Sequence, residues 1–450
     1  MGKVLLKGGT VLSMDPQIGD LPTGDVLIED DRIIGVDVGI DADAETVDCT
    51  GRIVIPGFVD THRHTWEAAI RGCAPNATLD DYFDEVLDTF APQYRPEDVY
   101  ASNLAGSLEC LNAGITTLVD WSHINNTPDH PDAAVTALKE TGIRAQYAYG
   151  SANTSIAKYW FSSTEVIPVD DVRRIRDTYF SSDDGLLTMA LATRGPGFCQ
   201  DEVVKAEWEM ARDLDIPITV HVAMARYAGR YAMVEQLDRL GLLGPDTTYI
   251  HCCFFSDHEW LRVQETGGTI SIAPQIELQM GHGWPPVNKA YQFELRPSLS
   301  IDVVTTGPGD IFSQMRAAFG AERCRVNVRC WESGDPVPET MLTARQMLEM
   351  ATINGAHVAG VEDRTGSLTP GKKADVVIID AQALNMAPVI DPVAAVTLSA
   401  DVSNVETVIV DGVVRKRDFK LVGDVDNART QVENARDYLV DAAAKAKATG

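Results

Sequence analysis

The sequence predicts an α/β fold: a (β/α)8 TIM barrel carrying a small β-sandwich domain formed from both chain ends. Three observations predict it. Eight short apolar, β-branched runs lie between residues 53 and 304, most of them separated by helix-length amphipathic stretches. All-β segments punctuated by Gly and Asp-Asp flank that region on both sides. At 450 residues the chain is too long for one ordinary core, so a large domain with a smaller companion is expected. Pattern alone leaves a doubly wound parallel sheet as the alternative.

Residues 3–55 read as short strands with tight turns, "KVLLKGGTVLS", "GDVLIEDDRIIGVD" and "AETVDCTGRIVIPG". The barrel strands are then "IVIPGFVDTH" (53–62), "ITTLVDWSH" (115–123), "RAQYAYGS" (144–151) and "LLTMALATR" (186–194). They continue with "PITVHVAM" (217–224), "TTYIHCC" (247–253), "TISIAP" (269–274) and "PSLSIDVV" (297–304). The stretch "PEDVYASNLAGSLECLNAG" is a typical intervening helix, with Pro96 near its start and Gly114 past its end. From 366 the β rhythm returns in "GSLTPGKKADVVIID" and "NVETVIVDGVVRKRDFKLVG". Neither terminal β segment can bury its strands alone, so the two are expected to pair. The expected organisation is therefore 1–55 with 366–423 as the sandwich, 56–365 as the barrel and 424–450 as a C-terminal helix.

Composition narrows the partners. Hydrophobic residues make up 45% and charged residues 23%, as in a soluble globular protein. The balance of 38 basic against 66 acidic residues, net −28, argues against nucleic acid or an anionic membrane surface as partner. No run of 18 apolar residues exists, and "MGKVLLKGGTVLSMDP" lacks signal-peptide architecture, so a cytoplasmic protein is expected. Eight scattered cysteines without a CxxC pair read as reduced core thiols. Cys252 and Cys253 are adjacent on a strand and so point to opposite faces.

The histidines carry the chemistry. Barrel enzymes place their reactive groups at the C-terminal ends of the strands. His62 and His64 end the first strand at i and i+2, so both imidazoles share a face while Arg63 points elsewhere. His221 ends the fifth strand, His251 the sixth, and Asp302 the eighth, where an acid among apolar neighbours needs a partner. One strand-end histidine is an ordinary structural residue; this constellation is not. Three His and an Asp suit a zinc-class divalent ion with an open water position. Such an ion lowers the pKa of its water towards neutrality.

The stretch "PGFVDTHRH", a later strand-end His, a second His and the strand-eight Asp together resemble the amidohydrolase superfamily. The closing "MLEMATINGAHVAGVEDRTGSLTPGKKADVVIID" (347–380) is similar to the C-terminal signature of its cytosine deaminase and triazine hydrolase branch. The resemblance covers nearly the whole chain. It implies one divalent metal held by His62, His64, His221 and Asp302, with zinc the first choice and Fe, Mn or Co also suited. It also implies that His251 orients or polarises the substrate and that Asp302 accepts the water's proton. Strand four, "LLTMALATRGPG", offers no lysine for the second metal of other branches, which favours a mononuclear site. A homodimer or larger homo-oligomer is expected on the same basis.

Two departures matter. The branch's deaminases carry His-x-x-Glu at strand five, whose Glu protonates a ring nitrogen; here the stretch is His221-Val222-Ala223-Met224, and Met224 cannot transfer a proton. Such acid–base help is worth about 10²–10⁴-fold. A C–N hydrolase of an amide, urea or carbamate, a small and possibly xenobiotic molecule, is therefore the favoured expectation. An aminohydrolase or dechlorinase of a cytosine-, guanine- or triazine-type heterocycle is the alternative. The loop "APQIELQMGHGWPPV" (273–287) has Gln275, Glu277, Gln279 and His282 where the branch has a Ser-Asn pair and a Lys. Candidate substrate contacts are Trp66, Trp121, Met224, Gln275 and His282, with core packing the competing reading for both tryptophans and a solvated loop for His282. His123 and His130 read as supporting groups on the same rim, and His258 and His357 as structural helix residues. Glu294 and Arg296 read as a solvated surface pair.

Overall fold

The computed structural model of the chain describes residues 2–152, 164–182, 184–227, 232–338 and 341–449. Eight parallel strands form the barrel: Phe58–Arg63, Ile115–Ser122, Arg144–Gly150, Leu187–Thr193, Ile218–Val222, Thr247–His251, Thr269–Ile272 and Ser298–Leu299. Helices on the outside return the chain between them, as parallel neighbours require. The second and third strands are buried along almost their whole length, the near-continuous apolar reading expected of strands covered on both faces.

The run expected as one strand from 53 to 62 is two strands. Arg52–Pro56 pairs antiparallel with Val376–Asp380, and Phe58–Arg63 starts the barrel. The chain changes sheet at Pro56-Gly57 for a steric reason. A Cβ on Gly57 would stand 2.0 Å from Thr116 Oγ1, so only glycine lets the first strand approach the second there. The Gly57 N–H donates to the Asp375 carbonyl at 2.9 Å, tying the crossing point to the other sheet.

The eighth strand is shorter than the expected 297–304. Regular pairing ends at Leu299, Ser300 N–H still donates to Ile272 O at 2.8 Å, and Asp302 beyond it takes a left-handed backbone (φ 68°). The barrel is joined there by single contacts: Asp302 N–H donates to His62 O at 2.9 Å and His64 N–H to Asp302 O at 2.8 Å. Below this seam, Thr61 Oγ1 lies 2.8 Å from Ser271 Oγ and 2.7 Å from Ser298 Oγ, a buried hydroxyl cluster that satisfies itself.

Both chain ends build the second sheet. Its nine strands include Lys3–Leu12, Asp20–Glu29 and Arg32–Asp37 from the front, and Val376–Asp380, Val405–Val410 and Val413–Arg417 from the back. Arg52–Pro56 stands between Lys3–Leu12 and Val376–Asp380 and joins the two halves. It has its own core, where Leu6, Val11, Val26 and Ile33 meet Leu368, Val376 and Ile378. The last helix, Val425–Thr449, lies against Pro96–Asn112, with Ala428 packed near Leu104 and Ala137. All eight cysteines are free thiols. Among the described residues, no helix is long and apolar enough to cross a membrane.

Barrel and sheet are joined by a buried ion pair. Arg144, at the start of the third barrel strand, donates Nε and Nη2 to the two Asp375 oxygens at 2.9 and 3.0 Å, and Nη2 also reaches Asp411 at 3.2 Å. Removing one partner strands a buried charge, which costs about 3–5 kcal/mol. Arg144→Ala is expected to lower stability by that amount in denaturant unfolding. Arg144→Lys is expected to recover only part of it, because a lysine cannot make the two-pronged contact. A loss below about 0.5 kcal/mol, the level of an ordinary surface substitution, would contradict this role.

Candidate metal centre and active-site pocket

The first strand alternates as its period of two requires. Arg63 points into the helical shell, where it pairs with Glu109 and donates to the Gly309 carbonyl. His62 and His64 point together to the barrel mouth, with ring centroids 4.7 Å apart. His221 from the fifth strand and Asp302 from the seam complete a group whose four ligand atoms all lie within 4.8 Å of one another. His62 Nε2 and His64 Nε2 stand 3.2 and 3.3 Å from Asp302 Oδ1, and His221 Nε2 stands 3.1 Å from His62 Nε2. All four residues are at least 94% buried, with His221 the most exposed at 6%.

This donor set fits a metal cation. Burial lowers the His62 imidazole to about 4 and His221 well below its ordinary value, so both rings are neutral and offer lone pairs. Burial alone would raise Asp302, but hydrogen bonds from His62 and His64 outweigh it and hold the carboxyl well below the usual range. For His64 burial is again opposed, here by Asp302 and Glu67, and the net effect raises its proton affinity. The cluster thus draws positive charge. Two facing imidazole nitrogens at 3.1 Å are natural around an ion with bonds of about 2.0–2.1 Å, whose tetrahedral edges are about 3.3 Å. His64 Nδ1–H donates to the Trp121 carbonyl at 2.9 Å, which aims Nε2 at the cluster.

His251 closes the other side. Its Nε2 lies 3.6 Å from Asp302 Oδ2, the carboxylate oxygen not used by His62 and His64, and its Nδ1 lies 3.2 Å from Glu277 Oε1. Both His251 (φ 73°) and Asp302 (φ 68°) hold left-handed backbones, conformations that cost of order 1–3 kcal/mol each and concentrate at functional sites.

Above these groups lies a pocket open to solvent on one side, with about 380 Å³ between atoms when its open part is counted. Its floor is polar: His64, His123, His221, His251, His282 and Asp302. Its walls are Leu79, Tyr82, Phe83, Leu87, Met224, Met280 and Val303. No Lys or Arg is among these described lining residues, so the pocket suits an uncharged molecule.

The structure sorts the candidate contacts. Met224 and His282 line the pocket. His282 is 3% exposed, and neither ring nitrogen has a hydrogen-bond partner, which leaves both available to a ligand. Trp121 sits behind the floor, its ring 4.4 Å from His221 and 5.4 Å from His64. Trp66 is fully buried and donates Nε1–H to His123 Nδ1 at 3.2 Å. Gln275 stands aside, its N–H donating to Gln314 Oε1 at 3.0 Å. His130 is held by Thr127 and the Tyr94 carbonyl. His258 and His357 lie on helices Asp257–Thr266 and Ile353–Val358, and Arg296 pairs with Glu362.

Sequence reasoning missed the wall from 79 to 87 and the buried Glu67. The wall has a local signature, because Thr78 and Asp81 form a capping box that starts helix Leu79–Tyr82. That the helix folds over the barrel mouth is a tertiary fact with no local signal. Glu67 accepts the Tyr82 hydroxyl at 2.5 Å, and burial raises its carboxyl to about 7. Replacing His62 or His64 with Ala is expected to abolish metal binding, read by elemental analysis, while circular dichroism shows the barrel intact. One equivalent of metal retained by either variant would contradict the ligand assignment.

A model of the amidohydrolase family matches residues 53–415. The 5'-deoxyadenosine deaminase of Methanosarcina mazei is 29% identical, over 98% of this chain and 99% of that one. Among solved structures, an adenosine deaminase from Xanthomonas campestris with bound zinc superposes with a TM-score of 0.83 at 22% identity, covering 98% of this chain and 99% of its own. The zinc complex of atrazine chlorohydrolase from Arthrobacter aurescens TC1 gives 0.85 at 23%, covering 96% and 100%. At such identities the two superpositions speak for the barrel and its companion sheet. The family match spans most of the chain and contains every donor of the buried cluster: the chain belongs to the amidohydrolase family and is a hydrolase of carbon–nitrogen bonds.

Proposed function

We propose that the protein is a mononuclear metal-dependent aminohydrolase that replaces the exocyclic amine of an N-heterocycle with oxygen, an adenine-type nucleoside being the first candidate. The observation that carries this reading is the end-to-end similarity to a 5'-deoxyadenosine deaminase, on a chain whose buried donor set is complete. It displaces the amide, urea or carbamate substrate that the sequence favoured. That expectation rested on Met224 alone, and a single missing acid weighs less than relatedness along the whole chain.

A divalent ion, zinc first, held by His62, His64, His221 and Asp302 would supply a Lewis acid and a water of lowered pKa. The chain's own groups do the rest. Asp302 Oδ2 faces the pocket side of the carboxylate and takes a proton from the attacking water, which it returns to the departing amine. His251 Nε2, beside Asp302 Oδ2, hydrogen-bonds the reacting edge of the ring. His282, unpartnered and buried, recognises a second polar edge. Leu79, Phe83, Leu87 and Met280 exclude bulk water. The same apolar wall, free of Lys and Arg, favours an alkylated triazine as the second reading, with an amine or chloride as leaving group.

The test is a panel of adenosine, 5'-deoxyadenosine, cytosine, guanine and aminotriazines assayed for ammonia, beside phenylureas, carbamates and anilides assayed for amine. Ammonia release from a heterocycle is expected, lost on chelation and reduced at least 10²-fold in Asp302→Asn. Amine release from ureas with no heterocycle turnover would overturn the reading.

A further inference from the structure

Deamination of a heterocycle needs a proton on a ring nitrogen as water attacks, and Met224, which occupies the pocket wall beside His221, has none to give. Among the described residues, the pocket's other polar side chains do not replace it unaided. Tyr82 directs its hydroxyl to Glu67 at 2.5 Å, away from the floor. His282 has no acid behind either nitrogen. His251 does.

We propose that Glu277, acting through His251, delivers the ring proton that the side chain at 224 cannot, and so is the positioning and relay residue of this site. The inference rests on the aminohydrolase reading above. Glu277 lies on the short helix Pro274–Gln279 after the seventh barrel strand and is fully buried. Its Oε1 accepts the Ala273 N–H at 2.9 Å and stands 3.2 Å from His251 Nδ1. Its Oε2 has no partner, and His251 is the only side chain with which it forms an ion pair or hydrogen bond among the described residues. A carboxylate so placed would be an unpaired buried anion, which is costly, so the group keeps its proton. Burial also raises the Glu277 carboxyl well above the usual carboxylate range.

A proton held on Glu277, 3.2 Å from His251 Nδ1, makes the pair a proton donor. A neutral imidazole alone would have to become an imidazolate to protonate anything. With Glu277 Oε1–H donating to Nδ1, the ring's own proton sits on Nε2, the nitrogen beside Asp302 Oδ2 and the pocket. As the Nε2–H bond breaks and the N–H bond of the heterocycle forms, Nδ1 takes the Glu277 proton. The imidazole stays neutral throughout, and the charge appears on Glu277. When the new carbonyl forms, its hydroxyl proton returns to Nε2 and Nδ1 returns its proton to Glu277. The water's other proton, carried by Asp302, leaves with ammonia. Four hydrogens enter with the amine and water, and four leave, one on the ring and three on ammonia.

The test is steady-state kinetics of ammonia release by the metal-loaded enzyme, with wild type measured first. Ammonia release by wild type establishes the underlying reading; its absence with every heterocycle overturns that reading and this inference together. Glu277→Gln preserves a hydrogen bond to Nδ1 but cannot release a proton. It is expected to lower kcat by about 10²–10³-fold with KM within about threefold. Metal content and melting temperature should stay unchanged, and nitrogen NMR of labelled histidine should still show the Nε2–H form. Glu277→Asp is expected to keep part of the activity. Adding Met224→Glu to Glu277→Gln is expected to restore at least tenfold of the lost kcat, because it places an acid in the pocket by another route. Unchanged kcat in Glu277→Gln overturns the proposal. So does a loss that moves KM, metal content and melting temperature together and that Met224→Glu does not relieve, which would mark Glu277 as structural.

Discussion

The barrel closes through its own candidate ligands. Two backbone hydrogen bonds, Asp302 N–H to His62 O and His64 N–H to Asp302 O, are where the eighth strand meets the first. The carboxylate of Asp302 is thereby delivered against the imidazoles of His62 and His64, each almost completely buried. Electrostatics then follows from geometry. An anion and three imidazoles within 4.8 Å must share protons or a positive charge between them. A buried cation would satisfy this arrangement. The left-handed backbone of Asp302 belongs to the same constraint, since an extended residue there would continue the strand and carry the carboxylate past the histidines.

The structure keeps its two sets of buried charge apart by the period of a strand. On the outer face of the first strand Arg63 is neutralised by Glu109 and stands 3.9 Å from Asp60 Oδ2. On the inner face His62 and His64 serve the pocket. Asp302 divides its work in a similar way, with Oδ1 towards His62 and His64 and Oδ2 towards His251. Under the proposed reaction, this split would let one carboxylate hold a metal and pass a proton. His251, between Asp302 and Glu277, then links two acids of opposite character: one held ionised by its hydrogen bonds, one held neutral by burial.

What was legible in the sequence was what repeats or alternates. Eight β-branched runs, the i and i+2 spacing of His62 and His64, and the return of β rhythm after 366 are local patterns, and the barrel with its companion sheet follows from them. The break falls at Pro56-Gly57, a turn signal inside an otherwise apolar run, and what makes it a change of sheet is the close contact with Thr116, which the sequence does not show. The left-handed backbone of Asp302 was hidden too, since a left-handed aspartate has no sequence signature. In the site, strand-end histidines announced themselves, whereas the wall of Leu79, Phe83 and Leu87 arrives from a helix whose destination no local rule specifies. Function was read too strongly from Met224. A missing acid in one loop does not show that the acid is missing from the site, and Glu277 stands one residue layer behind the pocket.

The measurement that tests the central claim most directly is X-ray absorption at the zinc edge of the loaded protein. The account expects three imidazole nitrogens and a carboxylate oxygen from the chain, at about 2.0–2.2 Å, around one ion per chain. Sulfur ligation at about 2.3 Å from Cys252 or Cys253, or fewer than two imidazoles, would contradict it.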